Sequence, residues 1–399
     1  MRFTALDSIR GVCAILVCLF HLPVVFFLSD SAFILHSYLF VDFFFVLSGF
    51  VICHAYGDGL NLGRVGPFLL RRFGRLWPLH AAILCFLVLL QLGVWVLYQY
   101  GLSVGQAPFE GRWDTTALVL DLFFLNSFGL WPDVTWNGPA WSISAELWTY
   151  LLFAAVAVFA LRRMVWVAIF MSLAALVALA VFSAGTMDVT HDFGVVRCIA
   201  GFFAGVCTYR VWQRYFMERS LWPGAEWAAT AGAIAFVILA GETGLALGAP
   251  FVFSLVVLAF AAEGGTLSWL LSAAPFKAAG RWSYSIYMVH STIIFMFFNV
   301  ARLADAKGIA PLIVMVDGER KVDFSLVDAS WANDVTMVAY VAVIIAVAAM
   351  TFRFIEVPAR TWFNALARAW SESQQRDAGP GAGISRPAQP LPPVVQAGQ

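Results

Sequence analysis

Residues 6–22 read LDSIRGVCAILVCLFHL, in which Arg10 precedes an almost wholly apolar run and His21 ends it. The apolar run continues toward residue 28, and about 20 apolar residues suffice for a helix to cross the hydrocarbon of a bilayer. No small-residue cleavage site follows, so the sequence predicts a retained membrane helix and not a signal peptide. An ionisable side chain at membrane depth is costly, so His21 needs a cavity, a partner or a chemical role.

The composition is that of a protein with many membrane spans. Of the 399 residues, 61% are hydrophobic and only 12% are charged, a balance that a soluble core does not require. The 24 basic and 24 acidic residues cancel, which gives no indication of a nucleic-acid partner. The six cysteines form no CxxC pair, so neither a disulfide framework nor a zinc site is predicted. We therefore predict an all-α, polytopic integral membrane protein.

Ten apolar runs have the length of a membrane-spanning helix. They cover residues 11–28, 38–56, 76–98, 143–161, 165–184, 194–211, 225–241, 248–262, 283–301 and 334–352. A further apolar segment, 115–130, contains Asp121 and Asn126, and we expect it to cross the bilayer only partially or to be re-entrant. The sequence thus predicts about ten transmembrane helices and one partial segment.

The distribution of basic residues predicts the orientation, because Lys and Arg concentrate in cytoplasmic loops. With ten spans and a cytoplasmic amino terminus, few basic residues lie in the outer loops. They are Arg112, Arg302, Lys307, Arg320 and Lys321. A complete crossing by 115–130 would destroy this asymmetry, so both termini are predicted to be cytoplasmic and 115–130 to lie on the outer side.

Two further segments complete the predicted organisation. The loop 302–332 carries both charge signs and is long enough to form a small outer cap. Residues 366–399 become rich in Pro, Gly, Gln and Ser and are predicted to form a disordered cytoplasmic tail. Residues 1–365 are then the transmembrane domain.

Arg10 and His21 lie eleven residues apart, about three helical turns, and therefore on one face of the first helix. His21 would lie roughly 16 Å deeper than Arg10, near the middle of the bilayer. A neutral histidine there can join two helices by a hydrogen bond. It can also act as a general base or nucleophile, because imidazole accepts a proton near neutral pH. No second His or Cys stands at ligand spacing, so no metal is predicted.

The stretch FLLRRFGRLWPLH, residues 68–80, places Arg71, Arg72 and Arg75 within about one helical turn at the cytoplasmic mouth of the third span. Such a cluster can be a topology anchor. Guanidinium groups also form bidentate contacts with phosphate, so the three arginines can hold a phosphorylated cytosolic ligand.

Four other ionisable residues fall within predicted spans. Glu146, in the stretch NGPAWSISAELWTYLLF, needs a partner or a wet cavity, unless it is an interfacial residue among belt aromatics. Asp42 and His290 suit helix-to-helix hydrogen bonding as well as function. Arg197 is expected to bind an anionic group or to extend its charge toward the interface.

In this order, these stretches resemble the integral-membrane acyltransferase 3 family, which includes acetylases of O-antigen, exopolysaccharide and other glycans. The matching motifs are LDSIRG with its arginine and histidine, VDFFFVLSGF (41–50), RRFGRLWP (71–78), WSISAE (141–146), SYSIYMVH (283–290) and FRFIEVPAR (352–360). The resemblance covers about residues 5–365. Ser8, Ala145 and His80 depart from the residues that are usual in the family, namely glycine, valine and tyrosine.

The resemblance implies transfer of an acyl group, commonly acetyl, from cytosolic acyl-CoA to an acceptor hydroxyl on the far side of a bacterial inner membrane. It makes His21 the essential histidine and Arg10, Arg72 and Arg75 the essential arginines. Acyl-CoA would be a co-substrate, with no bound cofactor or metal. The acceptor would be a glycan, lipid or small molecule, and any second transfer step would need a separate periplasmic protein.

We therefore predict a membrane O-acyltransferase in which His21 is the base or acyl carrier and Glu146 orients the acceptor or the histidine from the outer side. The alternative is a proton-coupled small-molecule transporter that uses His21, Glu146 and Arg197. A purely structural membrane protein is disfavoured by the number of intramembrane ionisable residues.

Overall fold

The computed structural model describes residues 3–101, 107–217, 222–241 and 243–377. The described chain is almost entirely α-helical. Its helices are α1 Thr4–Phe20, α2 Ala32–Leu35, α3 Phe40–Tyr56, α4 Leu62–Gln99, α5 Thr115–Leu122, α6 Ala140–Phe159, α7 Met164–Phe182, α8 Gly194–Tyr215, α9 Ala225–Ala240, α10 Ala249–Ala261, α11 Thr266–Leu271, α12 Ala274–Ala306, α13 Trp331–Thr351 and α14 Val357–Asp377. Strands β1 Ile313–Val316 and β2 Glu319–Val322 form one antiparallel hairpin.

Shorter helical turns connect these elements. Five are 3₁₀ turns, at Ser37–Leu39, Gly111–Trp113, Leu161–Arg163, Gly244–Gly248 and Phe324–Val327. A π-helical turn, Phe352–Glu356, joins α13 to α14 without a break.

Eight helical stretches in the described residues are long and apolar enough to cross a membrane. They are Ala32–Tyr56, Leu62–Gln99, Ala140–Phe159, Leu161–Phe182, Gly194–Tyr215, Gly244–Ala261, Ala274–Ala306 and Trp331–Gln374. The predicted number of about ten is not confirmed. The predicted spans 11–28 and 225–241 contain helices of only 17 and 16 residues.

The first predicted span, 11–28, is too long at its carboxyl end. Helix α1 ends at Phe20, and His21 is its C-cap. The reason is Pro23, because a proline disfavours helical backbone in the residue before it and supplies no N–H. Instead, the chain after His21 runs beside β2, where Val322 N–H donates to the carbonyl of Pro23 (2.8 Å) and Val25 N–H to that of Val322 (3.0 Å). The expected cap in 302–332 is therefore a hairpin attached to the segment that follows the histidine.

The predicted partial segment 115–130 contains only the eight-residue helix α5, which is far too short to cross the bilayer. His80 of α4 helps to hold α5 in place. Its Nε2 donates to the carbonyl of Asp121 at 2.8 Å, and its ring stacks on Phe124 at 4.9 Å.

The predicted disordered tail, 366–399, is wrong for its first part, because α14 continues to Asp377. The aromatic residues of α14 explain this: Phe363 packs on Phe73 of α4 with ring centroids 5.8 Å apart, and Ala367 is fully buried. Contact with α4 gives the helix a partner that local composition does not reveal. Residues 378–399 lie outside the described residues.

The centre of the molecule is a close crossing of α3 and α8. A Cβ added at Gly49 would lie 1.9 Å from the carbonyl oxygen of Phe202, and one at Gly205 would lie 1.9 Å from that of Val46. Small residues at such positions let two helix backbones touch, which is a common way to pack membrane helices. Helix α1 packs along α12 and carries the functional motif into this core.

Candidate active site

A first cavity, of about 100 Å³, opens between α1, α3, α4, α6 and α12, and we call it the arginine cavity. It is lined by Arg10, Val41, Phe44, Phe45, Leu47, Ser48, Val51, Ile52, Arg72, Arg75, Leu76, Ser142, Ile143, Glu146, Tyr150, Ser283, Tyr284 and Tyr287. The three arginines that the resemblance makes essential, Arg10, Arg72 and Arg75, are thus brought together. Arg71 does not line the cavity and instead interacts with the side chain of Tyr56.

Arg10 is fixed by α12. Its Nε donates to Ser283 Oγ at 2.7 Å and its Nη2 to the carbonyl of Gly280 at 3.1 Å, while Asp7 lies 3.4 Å away. The two helices approach so closely that a Cβ on Gly280 would lie 2.4 Å from the carbonyl oxygen of Asp7. The motif LDSIRG therefore determines both the close contact between α1 and α12 and the orientation of the Arg10 side chain.

Arg72 and Arg75 have no carboxylate partner. Neither forms an ion pair with any described residue, and Arg72 Nε is buried without a hydrogen-bond partner there. The Arg72 guanidinium lies 5.6 Å from the ring centroid of Tyr56 and 6.0 Å from that of Tyr150, which limits its freedom. A donor held in place without an acceptor is suited to an anionic ligand.

Glu146 lines the arginine cavity and not the histidine cavity, whereas the sequence predicts that it orients the acceptor or the histidine from the outer side. Its Oε1 accepts hydrogen bonds from Ser48 Oγ at 2.5 Å and from the hydroxyl of Tyr150. The reason is its register on α6: Glu146 is more than one turn inside the helix and faces α3 and α4. Its charge acts on Arg10 and Arg75 across the cavity.

A second cavity, of about 240 Å³, lies at the other end of α1, and we call it the histidine cavity. It is lined by His21, Pro23, Leu87, Arg112, Trp113, Trp136, Ser291, Thr292, Ile294, Phe295, Phe298 and Arg320. The side chain of His21 is exposed to it because the helix ends there. The sequence predicts that Arg10 and His21 share one face of α1. The structure is consistent with that prediction, because both side chains contact helix α12.

The hydrogen bond of His21 determines its tautomer. Its Nδ1 lies 2.9 Å from the carbonyl oxygen of Val17, which can only accept, so Nδ1 carries the proton. In the neutral ring Nε2 then has a free lone pair, as a general base or nucleophile requires.

His290 is the neighbour of His21, with ring centroids 5.1 Å apart. Its Nδ1 donates to the carbonyl of Tyr287 at 2.5 Å, so in the neutral ring the proton is on Nδ1, as it is in His21. The Nε2 atom of His290 is buried and has no hydrogen-bond partner among the described residues. Two imidazoles with free Nε2 atoms therefore lie side by side. A proton taken up by His21 has an acceptor next to it.

The two cavities are close to each other along α12. Tyr287 lines the arginine cavity, and Ser291, one helical turn later, lines the histidine cavity. One turn is about 6 Å along the axis. The hydroxyl of Tyr287 accepts a hydrogen bond from Ser142 Oγ at 2.9 Å, and this contact between α12 and α6 lies on the border of the arginine cavity.

Arg197 is neither a free anion-binding group nor a residue that reaches toward the interface. It is 1% exposed and pairs in bidentate fashion with buried Asp42, through Nε to Oδ1 at 3.0 Å and Nη2 to Oδ2 at 2.8 Å. The carbonyls of Val189 and Tyr38 accept its other donors at 3.1 Å. The pair joins α3 to α8.

The residues of the transporter alternative lie in three different environments. His21 lines the histidine cavity, Glu146 lines the arginine cavity, and Arg197 forms a buried ion pair with Asp42. The described residues contain no group of three His, Cys, Asp or Glu side chains that could hold a metal ion.

Sequence reasoning missed several lining residues. Ser48 belongs to the motif VDFFFVLSGF, and Tyr150 follows Glu146 by one turn, so both had a signal in the sequence. Arg112 and Arg320 had none, because Arg112 reaches the histidine cavity from a 3₁₀ turn and Arg320 from strand β2, both through tertiary contacts.

Comparison with known proteins gives a family match over most of the chain. The model of the acyltransferase 3 family, described as an acyltransferase domain, matches residues 3–353. "Protein 2 in picA locus" of Rhizobium radiobacter is 40% identical over 159 residues, which are 37% of this chain and 78% of that protein. "Acyltransferase MdmB" of Streptomyces mycarofaciens is 31% identical over 162 residues, 38% of each chain. No solved structure matches.

Proposed function

Because the chain belongs to the acyltransferase 3 family, we propose that this membrane acyltransferase moves an acetyl group from cytosolic acetyl-CoA to a hydroxyl of an extracytoplasmic or lipid-linked glycan. The observation that carries the proposal is the placement of the two ends of α1. Its amino-terminal half brings Arg10 into a cavity with two arginines that form no ion pair among the described residues, and its carboxyl end brings His21 into a second cavity nearby.

The donor binds in the arginine cavity in this proposal. Arg72 and Arg75 bind the phosphates of CoA, and Arg10 adds a third positive charge at the same mouth. Arg71 contributes from the edge through its charge. Glu146, fixed by Ser48 and Tyr150, orients the arginines and limits their mutual repulsion.

The chemical step uses Nε2 of His21 as the general base. It accepts the proton of the acceptor hydroxyl while the hydroxyl oxygen attacks the thioester carbonyl carbon. The carbon–sulfur bond then breaks, and the sulfur of CoA leaves with the electron pair and takes the proton from the imidazolium. His290 positions His21 and accepts a hydrogen bond from its protonated Nε2.

The membrane arrangement follows from the same assignment. We place the protein in the bacterial inner membrane with both termini in the cytoplasm and the histidine cavity toward the periplasm, as the basic residues indicate. A separate periplasmic protein is then required only if the modified acceptor undergoes a second transfer.

Mass spectrometry of envelope glycans and lipids tests this function. Cells with the intact gene should carry acetyl groups that cells lacking it do not, and complementation with the gene should restore them. If no acyl group in any hydroxyl-bearing fraction depends on the gene, the proposed function is wrong. A transporter would instead leave acyl-CoA unconsumed in isolated membranes.

A further inference from the structure

The histidine cavity contains two cations that the proposed reaction does not use. Arg112 enters it from the 3₁₀ turn before α5, and Arg320 enters from β2. Among the described residues that line the cavity there is no carboxylate. Neither guanidinium forms an ion pair within the described ranges, although Asp121 and Asp133 act on Arg112 from a greater distance.

Aromatic side chains hold Arg112 in place. Its guanidinium lies 5.0 Å from the ring centroid of Trp113, and Nη2 is 3.5 Å from the carbonyl oxygen of Trp136. The two tryptophans pack edge to face at 5.3 Å, and Trp136 Nε1 donates to the carbonyl of Asp114 at 2.9 Å. The arginine is thus fixed above a rigid aromatic wall.

The hairpin holds Arg320 near the histidine. Strand β2 pairs with the chain just after His21 through the two backbone hydrogen bonds at Val322, so the two segments cannot move independently. Arg320 lies two residues before Val322 and lines the cavity together with His21. The acidic Glu319 precedes it in β2 but does not line the cavity.

A further polar group faces this cavity. Thr292, one of its lining residues, has a buried hydroxyl without a hydrogen-bond partner in the described part of the chain. Cavities that bind small molecules combine an apolar, mostly aromatic lining with a few placed polar groups, which matches this one. Two cations without an ion-pair partner among the described residues give the cavity a positive potential that attracts an anion, and the acidic Asp188 and Glu319, whose charges reach His21, do not line it.

We propose that the acceptor is an anionic saccharide, and this inference rests on the proposed function. Arg112 and Arg320 bind its carboxylate or phosphate, the sugar ring packs against Trp113 and Trp136, and a hydroxyl of the same sugar points to His21. The site therefore selects acidic over neutral acceptors, because a neutral sugar leaves both guanidinium groups unpaired.

The test is a binding titration by calorimetry with purified full-length protein in nanodiscs, without acyl-CoA. The probes are glucuronic acid, glucose 1-phosphate and, as the neutral counterpart, glucose. Wild type should bind at least one acidic probe roughly tenfold or more tightly than glucose, and salt should weaken that binding. The two acidic probes distinguish a carboxylate site from a phosphate site.

Variants connect the binding to the two arginines. R112Q/R320Q should lose the preference for the acidic probes, whereas R112K/R320K should retain part of it because the charge remains without the bidentate geometry. K321Q is the matched control: it removes one positive charge from the same strand at a residue outside the cavity lining, and it should bind like wild type.

Three results would overturn the inference: no saturable binding of either acidic probe, equal binding of glucose, or an unchanged preference in R112Q/R320Q. Acyl transfer to a neutral glycan in the same membranes would leave the proposed function standing while this inference fails. Loss of all acyl transfer together with intact binding of acidic probes would refute the proposed function and not the site.

Discussion

At the scale of the residue, the central feature is the lone pair on Nε2 of His21. The carbonyl oxygen of Val17 accepts a hydrogen bond from Nδ1 at 2.9 Å, which keeps the proton on Nδ1 and leaves the lone pair on Nε2. Because α1 ends at this residue, the side chain is exposed to a cavity. A histidine in the middle of a helix would have been enclosed by neighbouring helices. Pro23 therefore matters for the proposed chemistry, because it ends the helix soon after the residue that we propose as the general base.

The buried pair of Asp42 and Arg197 should be essential for stability. Asn at position 42 or Gln at position 197 leaves an unpaired buried charge, which costs roughly 3–5 kcal/mol. R214Q is the control, since it removes an exposed arginine from the same helix, α8. Thermal unfolding in detergent should show a large decrease in Tm for D42N and R197Q, and a decrease no larger than that of R214Q would contradict the structural role.

The sequence indicates His21, Arg10, Arg72 and Arg75 as candidates, because charged residues in apolar runs are rare and the motifs gave their order, and all four line cavities in the structure. It was not sufficient to place them. Glu146 was predicted to orient the acceptor or the histidine, and it lies beside the arginines because the rotation of α6 depends on its packing against α3 and α4. Arg197 was predicted to bind an anionic group or to extend its charge toward the interface, and nothing in the sequence identifies Asp42, 155 residues away in the chain, as the carboxylate that it binds.

At the scale of the element, α4 presents Arg72 and Arg75, the arginines that we propose bind the acyl donor. Replacing Arg72 and Arg75 together with Gln should raise the apparent KM for acyl-CoA by at least roughly tenfold, because each charge-assisted contact to phosphate contributes about 1.5–3 kcal/mol. Lysine at both positions should rescue only partly. R64Q, in the first turn of the same helix and outside the cavity, should leave KM unchanged. If the double Gln variant binds acyl-CoA like wild type, the cluster serves only as a topology anchor.

The crossing of α3 and α8 depends on glycine. G205A should lower Tm strongly, because its Cβ would overlap the backbone of Val46 and neither backbone can move without displacing the other helix. G93A in α4 is the matched control, since a Cβ there has no atom within 4 Å and alanine favours the helix. Equal Tm values for the two variants would show that the helices are not in contact at this point.

At the scale of the whole molecule, helix α1 connects two separate cavities, because Arg10 lines one of them and His21, at the C-cap of the helix, lines the other. Long apolar runs predicted most of the spans. The first span was predicted too long because Pro23 ends the helix, and the start of the tail was wrongly predicted to be disordered because a long-range aromatic contact with α4 stabilises α14. The hairpin was foreseen only as a cap, because no local pattern indicates that β2 pairs with the chain after His21.

The membrane orientation can be tested by cysteine labelling. Single cysteines at Gly101 and Pro132 flank α5, and an impermeant reagent added from outside should label both, because an eight-residue helix cannot carry the chain across. The native cysteines must first be replaced. Labelling of Pro132→Cys only after the cytoplasmic side is opened would contradict both the partial segment and the placement of the histidine cavity.

The most direct test of the whole account is acyl transfer by His21→Gln in membrane vesicles supplied with acyl-labelled CoA. Glutamine can hydrogen-bond but cannot accept a proton near neutral pH, so transfer to acceptor should fall by roughly a hundredfold or more while acyl-CoA binding stays at the wild-type level. His36→Gln is the control, because His36 also bonds through Nδ1 to a backbone carbonyl, that of Val237 at 3.0 Å, yet lines neither cavity. It should transfer like wild type. If His21→Gln retains most of the wild-type transfer, His21 is a structural residue and the base lies elsewhere.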